Sequence, residues 1–211
     1  MRNRLLRLVC LVVLFSVFSC HKTTRINIID QLKGAPDYKK TLKKWTKFTK
    51  HYYFNEVEFF INTTFKSWPM RLAYLKEYVR KFKIPEQEQL KLYEKELQEY
   101  QNYNDFFITV FSSKKDINDL SDSEKWRLYL HLGDVSAARL QPESIKEVDR
   151  DSILDYFYPQ VSPWTSNYNV RFSRVMNDSQ TGSMHDKFVT LSLMLATVGG
   201  EQTFTYGVEN Y

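Results

Sequence analysis

Hydrophobic positions recur along this chain with two different periods. Val57, Phe59, Ile61, Thr63 and Phe65 alternate with Glu56, Glu58, Phe60, Asn62 and Thr64, which predicts a half-buried strand. The period then lengthens. Trp68, Leu72, Leu75, Val79 and Phe82 recur at spacings of 4, 3, 4 and 3, with Lys76, Glu77, Arg80 and Lys81 elsewhere on the wheel. Ser67 and Pro69 supply a start signal, and Ile84-Pro85 stops this helix and opens another. The second carries Leu90, Tyr93, Leu97 and Tyr100 on one face, with Glu86 and Glu88 in the first turn, where the helix dipole favours acids. So short a connection predicts an antiparallel helical hairpin at about 67–102.

After Asn104 the period returns to two. Phe106, Ile108 and Val110 form one strand face. Trp126, Leu128, Leu130 and Leu132 form another, opposite Arg127, Tyr129 and His131. Tyr168, Val170 and Phe172, then Val189, Leu191, Leu193 and Leu195, continue the pattern, and Phe204 and Tyr206 predict a closing strand. Turn-like stretches such as Ser121-Asp122-Ser123 and Ser162-Pro163-Trp164-Thr165 separate them. Residues 38–50 are ambiguous. Tyr38, Leu42, Trp45, Thr49 and Tyr52 line up on a helix, whereas Thr41, Trp45, Thr46, Phe48 and Thr49 suit a pleated surface, and the strand that follows tips the balance toward strand. The fold class expected is α+β: an antiparallel β-sandwich or small barrel, one domain over residues 37–211, with an inserted helical hairpin.

The N-terminus follows a different logic. Residues 1–19 open with Arg2, Arg4 and Arg7, continue as an apolar run from Leu8 to Phe18, and end at Ser19 before Cys20, the layout of a secretory signal. The run is about eleven residues, half of the roughly twenty that a helix needs to cross a bilayer core. Val17-Phe18-Ser19-Cys20 resembles the lipobox of bacterial lipoproteins, in which the cysteine is lipidated and becomes the first residue. That resemblance implies lipidation at Cys20 and two or three acyl chains holding the protein on the lipid bilayer, since one chain alone gives only reversible attachment. His21, in place of the Asp associated with inner-membrane retention, implies the periplasmic face of the outer membrane; the alternative is the outer surface of a Gram-positive membrane. The other reading of Cys20 is an incidental residue beside an ordinary cleavage site. Cys10 lies within the leader, so no disulfide framework is available to the mature chain. Residues 20–36 then read as the lipidated Cys and its tether, with Ile26, Ile28 and Ile29 as points where it docks on the body.

Charge narrows the partners. The leader's three arginines are among the 30 basic residues, and without them 27 stand against 25 acids. A near-neutral body is no nucleic-acid binder. Lys39, Lys40, Lys43, Lys44, Lys47 and Lys50 could rest on anionic headgroups just after the tether, or form a solvated face or a protected edge strand.

Catalytic signals are thin. His51, His131 and His185 share no metal-binding spacing, and no cysteine outside Cys20 is left as a co-ligand, so neither metal nor cofactor is expected. Ser183, His185 and Asp186 hold the residue types of a triad without evidence of its geometry. Glu56 and Glu58 stand about 7 Å apart on the less apolar strand face, a spacing compatible with hydrolase chemistry but ordinary for solvated acids. Asp116, Asn118, Asp119 and Asp122 offer oxygens to a cation without the glycine and terminal Glu of an EF-hand. Aromatics are in excess at 16%. Trp68 and Trp126 fall in register with core stripes. Trp164, with Tyr168 beside it, is the candidate for a glycan- or lipid-binding contact, or else plugs the end of the sandwich. Tyr38, Leu42, Trp45-Thr46, Tyr53, Pro163-Trp164, Tyr168 and Phe172 are similar to patterns in uncharacterised lipoproteins of Gram-negative bacteria, which implies no activity. The role expected is non-enzymatic, an interaction or structural component with an envelope protein partner.

Overall fold

A computed structural model describes residues 28–54, 56–114, 117–132, 139–174, 188–195 and 200–207. Cys20, the leader, Asp116, Ser183, His185 and Asp186 lie outside the described residues.

Residues 28–34 form helix α1, inside the stretch expected as tether. Leu32 is buried there against Leu75 and Tyr93, so this end of the tether belongs to the body. The ambiguous segment divides. Helix α2 (Tyr38–Trp45) leads without a break into strand β1 (Thr46–Tyr53), so the strand expectation for 38–50 is corrected over its first half. The reason is local: the Asp37 carboxylate accepts from the Lys40 amide at 2.9 Å, capping the helix, and Tyr38, Thr41, Leu42 and Trp45 bury one stripe. From Thr46 on, β-branched and aromatic residues take over and the chain extends.

Strand β2 (Glu56–Phe65) pairs antiparallel with β1, with a bulge at His51/Tyr52. Helices α3 (Trp68–Phe82) and α4 (Glu86–Asn102) form the hairpin, and β3 (Tyr103–Ser112) returns to pair with β2, Phe65 opposite Phe106. The hairpin is thus an insertion between paired strands. Strand β4 (Trp126–Leu132) is followed by β5 (Ser144–Glu147), the short helix α5 (Ser152–Phe157), β6 (Ser166–Ser173), β7 (Phe188–Leu195) and β8 (Gly200–Gly207). The sheets run β1-β2-β3-β6-β5 and β4-β7-β8, all antiparallel. They face each other as a sandwich and do not close into a barrel.

Phe59, Ile61, Phe65, Phe106, Ile108, Val110, Tyr168, Val170 and Phe172 from the larger sheet meet Trp126, Leu128, Leu130, Leu191, Phe204 and Tyr206 from the smaller. Each large apolar side chain so buried contributes about 1.5–3 kcal/mol. Strand β3 is buried on both faces from Asn104 to Val110, because its second face lies under the helices. Residues on that outer face, such as Asp105 and Phe107, therefore sit in the interior as well. His131, expected to point outward from β4, is also buried, and its Nδ1 has no hydrogen-bond partner. Among the described residues no helix is long and apolar enough to cross a membrane.

Candidate functional site

Two places on the larger sheet concentrate chemistry. The first lies where the hairpin covers the outer face. Arg71 occupies the apolar stripe of α3, three residues after Trp68 and four before Leu75, so its guanidinium is carried inward. It donates to the Asp105 carboxylate of β3, to Glu96 of α4 at 2.6 Å and to the Lys66 carbonyl at 3.0 Å. Arg171 of β6 reaches Asp105 from the other side at 2.9 Å, pairs with Glu99 of α4, and lies 4.0 Å from the centre of the Tyr103 ring. Asp105 is the node that fastens the hairpin to two strands.

A cleft of about 310 Å³ opens beside this network, lined also by Lys66, Met70, Tyr74, Phe107, Leu154, Tyr158 and Asn169. Burial, and then the neighbouring Arg71 charge, pushes the half-buried Lys66 amine below its ordinary value; Asp105 and Glu96 oppose that shift. Burial raises the Tyr158 phenol well above its ordinary value and moves Tyr74 up to about 12. The phenols therefore stay protonated and can serve as hydrogen-bond donors, while the charged form of the Lys66 amine is disfavoured relative to a lysine in water.

The second place is the β1 edge and the sheet end nearest it. Phe48, Tyr52 and Phe54 are 52%, 57% and 85% exposed. Phe48 lies 6.2 Å from Phe60 on β2, which stacks at 4.6 Å on Phe111 of β3, giving an aromatic row across three strands. Lys50 Nζ sits 5.5 Å from the Phe48 ring. Trp164 is 75% exposed in the turn before β6, at the same end of the sheet as Phe111 because Val110 pairs with Ser166.

The residues singled out by spacing are not gathered into one site. Trp164 stands in solvent, while Tyr168 is buried in the sandwich with its hydroxyl donating to the Asn118 carbonyl at 2.9 Å. Glu56 is exposed, but Glu58, expected on the solvated face, is buried beside the β1 bulge. Its Oε1 is 2.9 Å from Lys114 Nζ and its Oε2 is 3.8 Å from His51 Nε2. The cation facing Glu58 therefore comes from the loop after β3, not from lysines 39–50. Asp119 and Asp122 spend their carboxylates on turn hydrogen bonds to Ser121 and Glu124, and among the described residues no three-ligand metal group forms. Lys66, Arg71, Asp105 and Arg171 escaped attention in the sequence. The available signal was Arg71 in phase with an apolar helical stripe, since a cation there needs a buried partner.

No protein-family model matches this chain, and no curated protein does. One solved structure is similar, described as a novel protein of unknown function from Burkholderia pseudomallei K96243. It shares 11% identity at a TM-score of 0.38, over 89% of this chain and 87% of its own.

Proposed function

We infer that this chain is a lipid-anchored envelope protein, held through Cys20 on the periplasmic face of the outer membrane, whose body works by binding an envelope protein partner rather than by catalysis. The observation that carries the reading is the exposure of three aromatics along one sheet edge, Phe48 and Tyr52 on β1 and Phe54 in the turn that follows it. Side chains left more than half exposed bury little apolar area at this edge, whereas aromatics are enriched at the centres of protein interfaces. Lys47 and Lys50 on the same strand keep the edge from pairing with copies of itself. The two arginines of the cleft are paired with its three acids, which suits a structural clamp better than a reacting centre. Trp164 supports a second reading, a glycan stacked on its exposed ring, but without help from the buried Tyr168.

The test is affinity capture from detergent-solubilised envelopes, using the full chain and a Phe48→Ser/Tyr52→Ser/Phe54→Ser variant. A partner retained by the parent and lost from the variant supports the reading; identical capture by both refutes it. Fractionation of Cys20→Ser tests the anchor separately. Loss from the membrane pellet is expected, and unchanged pelleting refutes anchoring.

A further inference from the structure

We propose that the cleft between α3, α4, α5 and the outer face of the five-stranded sheet binds a small organic carboxylate, anchored by the Lys66 ammonium and the Tyr158 hydroxyl. The site is independent of the β1 edge and of the anchor. Its volume of about 310 Å³ lies at the lower end of the range of small-molecule sites.

The polar groups of the cleft fall into two sets. Arg71 and Arg171 are committed as ion pairs, Arg71 to Asp105 and Glu96 and Arg171 to Asp105 and Glu99, and Arg71 also donates to the Lys66 carbonyl. Lys66 and Tyr158 are not. The Lys66 ammonium has three donors, and one goes to Asn169 Oδ1 at 2.8 Å. The Tyr158 ring is fixed 4.0 Å from that of Phe107, and its hydroxyl makes no hydrogen bond among the described residues. An ammonium and a hydroxyl facing one cleft match the two oxygens of a carboxylate.

Charge selects the ligand further. With Lys66 protonated, Lys66, Arg71, Lys95 and Arg171 face Glu96, Glu99 and Asp105, four positive groups against three negative, so a single negative charge balances the cleft. A phosphate dianion would overshoot and meet Glu96 and Glu99. Met70, Phe107 and Leu154 supply an apolar wall for the remainder of the molecule. Binding is also linked to pH. The ligand pairs with the charged amine, so affinity holds while Lys66 is protonated and falls as pH rises through its lowered value. The charged and titratable groups around that amine are Arg71 and Tyr74 of α3, Lys95, Glu96 and Glu99 of α4, Asp105 of β3, Arg171 of β6, and Tyr158 after α5.

Titration calorimetry on the full chain in detergent, with benzoate as probe and benzamide and inorganic phosphate as controls, tests the proposal. Expected are saturable benzoate binding that weakens with rising pH, and none with benzamide. In Lys66→Met the benzoate signal is lost. In Tyr158→Phe it weakens by about tenfold, one hydrogen bond to a charged group. Absence of saturable benzoate binding to the parent chain, equal binding of benzamide, tighter binding of phosphate, or full affinity in either variant overturns it. If Lys66→Met does not fold, the Tyr158→Phe comparison and the pH dependence of the parent chain decide.

Discussion

Replacing Asp105 by alanine removes the shared acceptor of two arginines at the junction of hairpin and sheet. Asp105 and Arg71 are 7% and 5% exposed, so the charge left behind on Arg71 is shielded from water on nearly every side. Breaking a buried ion pair from one side costs about 3–5 kcal/mol, because the surviving charge stays desolvated and uncompensated. Here Glu96 and Glu99 remain beside Arg71 and Arg171, which favours the lower figure. For a chain of this size, about 3 kcal/mol corresponds to a fall in Tm of roughly 6–12 °C. Thermal unfolding followed by circular dichroism measures it, with Arg150→Ala as the control. Arg150 pairs with Asp155 at 2.6 Å, but their side chains are 43% and 36% exposed, and such surface pairs contribute about 0–1 kcal/mol. Equal and small shifts in the two variants would refute the view that Asp105 fastens the hairpin.

Two further outcomes follow from single contacts. Tyr168→Phe deletes the hydroxyl that satisfies the Asn118 carbonyl while leaving the ring in the core, and should cost about 1 kcal/mol by urea denaturation; an unchanged midpoint would mean water replaces that bond freely. Glu77 is held down to about 2 by its hydrogen bond to Arg80, aided by Tyr156, so its folded value lies below its ordinary 4.5. Any stability from this group is therefore present above pH 4.5 and lost as pH falls through about 2, and exposure of Arg80 keeps the effect small. An NMR titration of the Glu77 carboxyl carbon with a midpoint near the ordinary value would contradict the pairing.

Periodicity alone identified the hairpin and the inner faces of the long strands, because helices and pleated strands expose their amphipathic pattern within ten to fifteen consecutive residues. Phe59, Ile61 and Phe65 on β2, and Phe106, Ile108 and Val110 on β3, all fill the core they were expected to fill. Short pieces were lost. Strand β5 has four residues and α5 six, fewer than a repeating pattern needs to declare itself. Glu58 was misjudged because alternation says only which residues share a face; the bulge at His51/Tyr52 and the loop carrying Lys114 bury it.

What the linear chain decided was the class of fold, the inserted hairpin and the residues of the sandwich core, all set by local patterning. Tertiary structure decided the rest. Asp105 meets Arg71 across 34 positions and Arg171 across 66, and Lys66 meets Asn169 across 103. A buried ionic cluster is an agreement among distant segments, made only when strand pairing and helix docking bring them within hydrogen-bond reach. The exposure of Phe48 and Tyr52 on β1, and of Phe54 in the turn after it, is likewise decided by tertiary structure: the sheet order leaves this strand at the edge and the His51/Tyr52 bulge changes which face its last residues present.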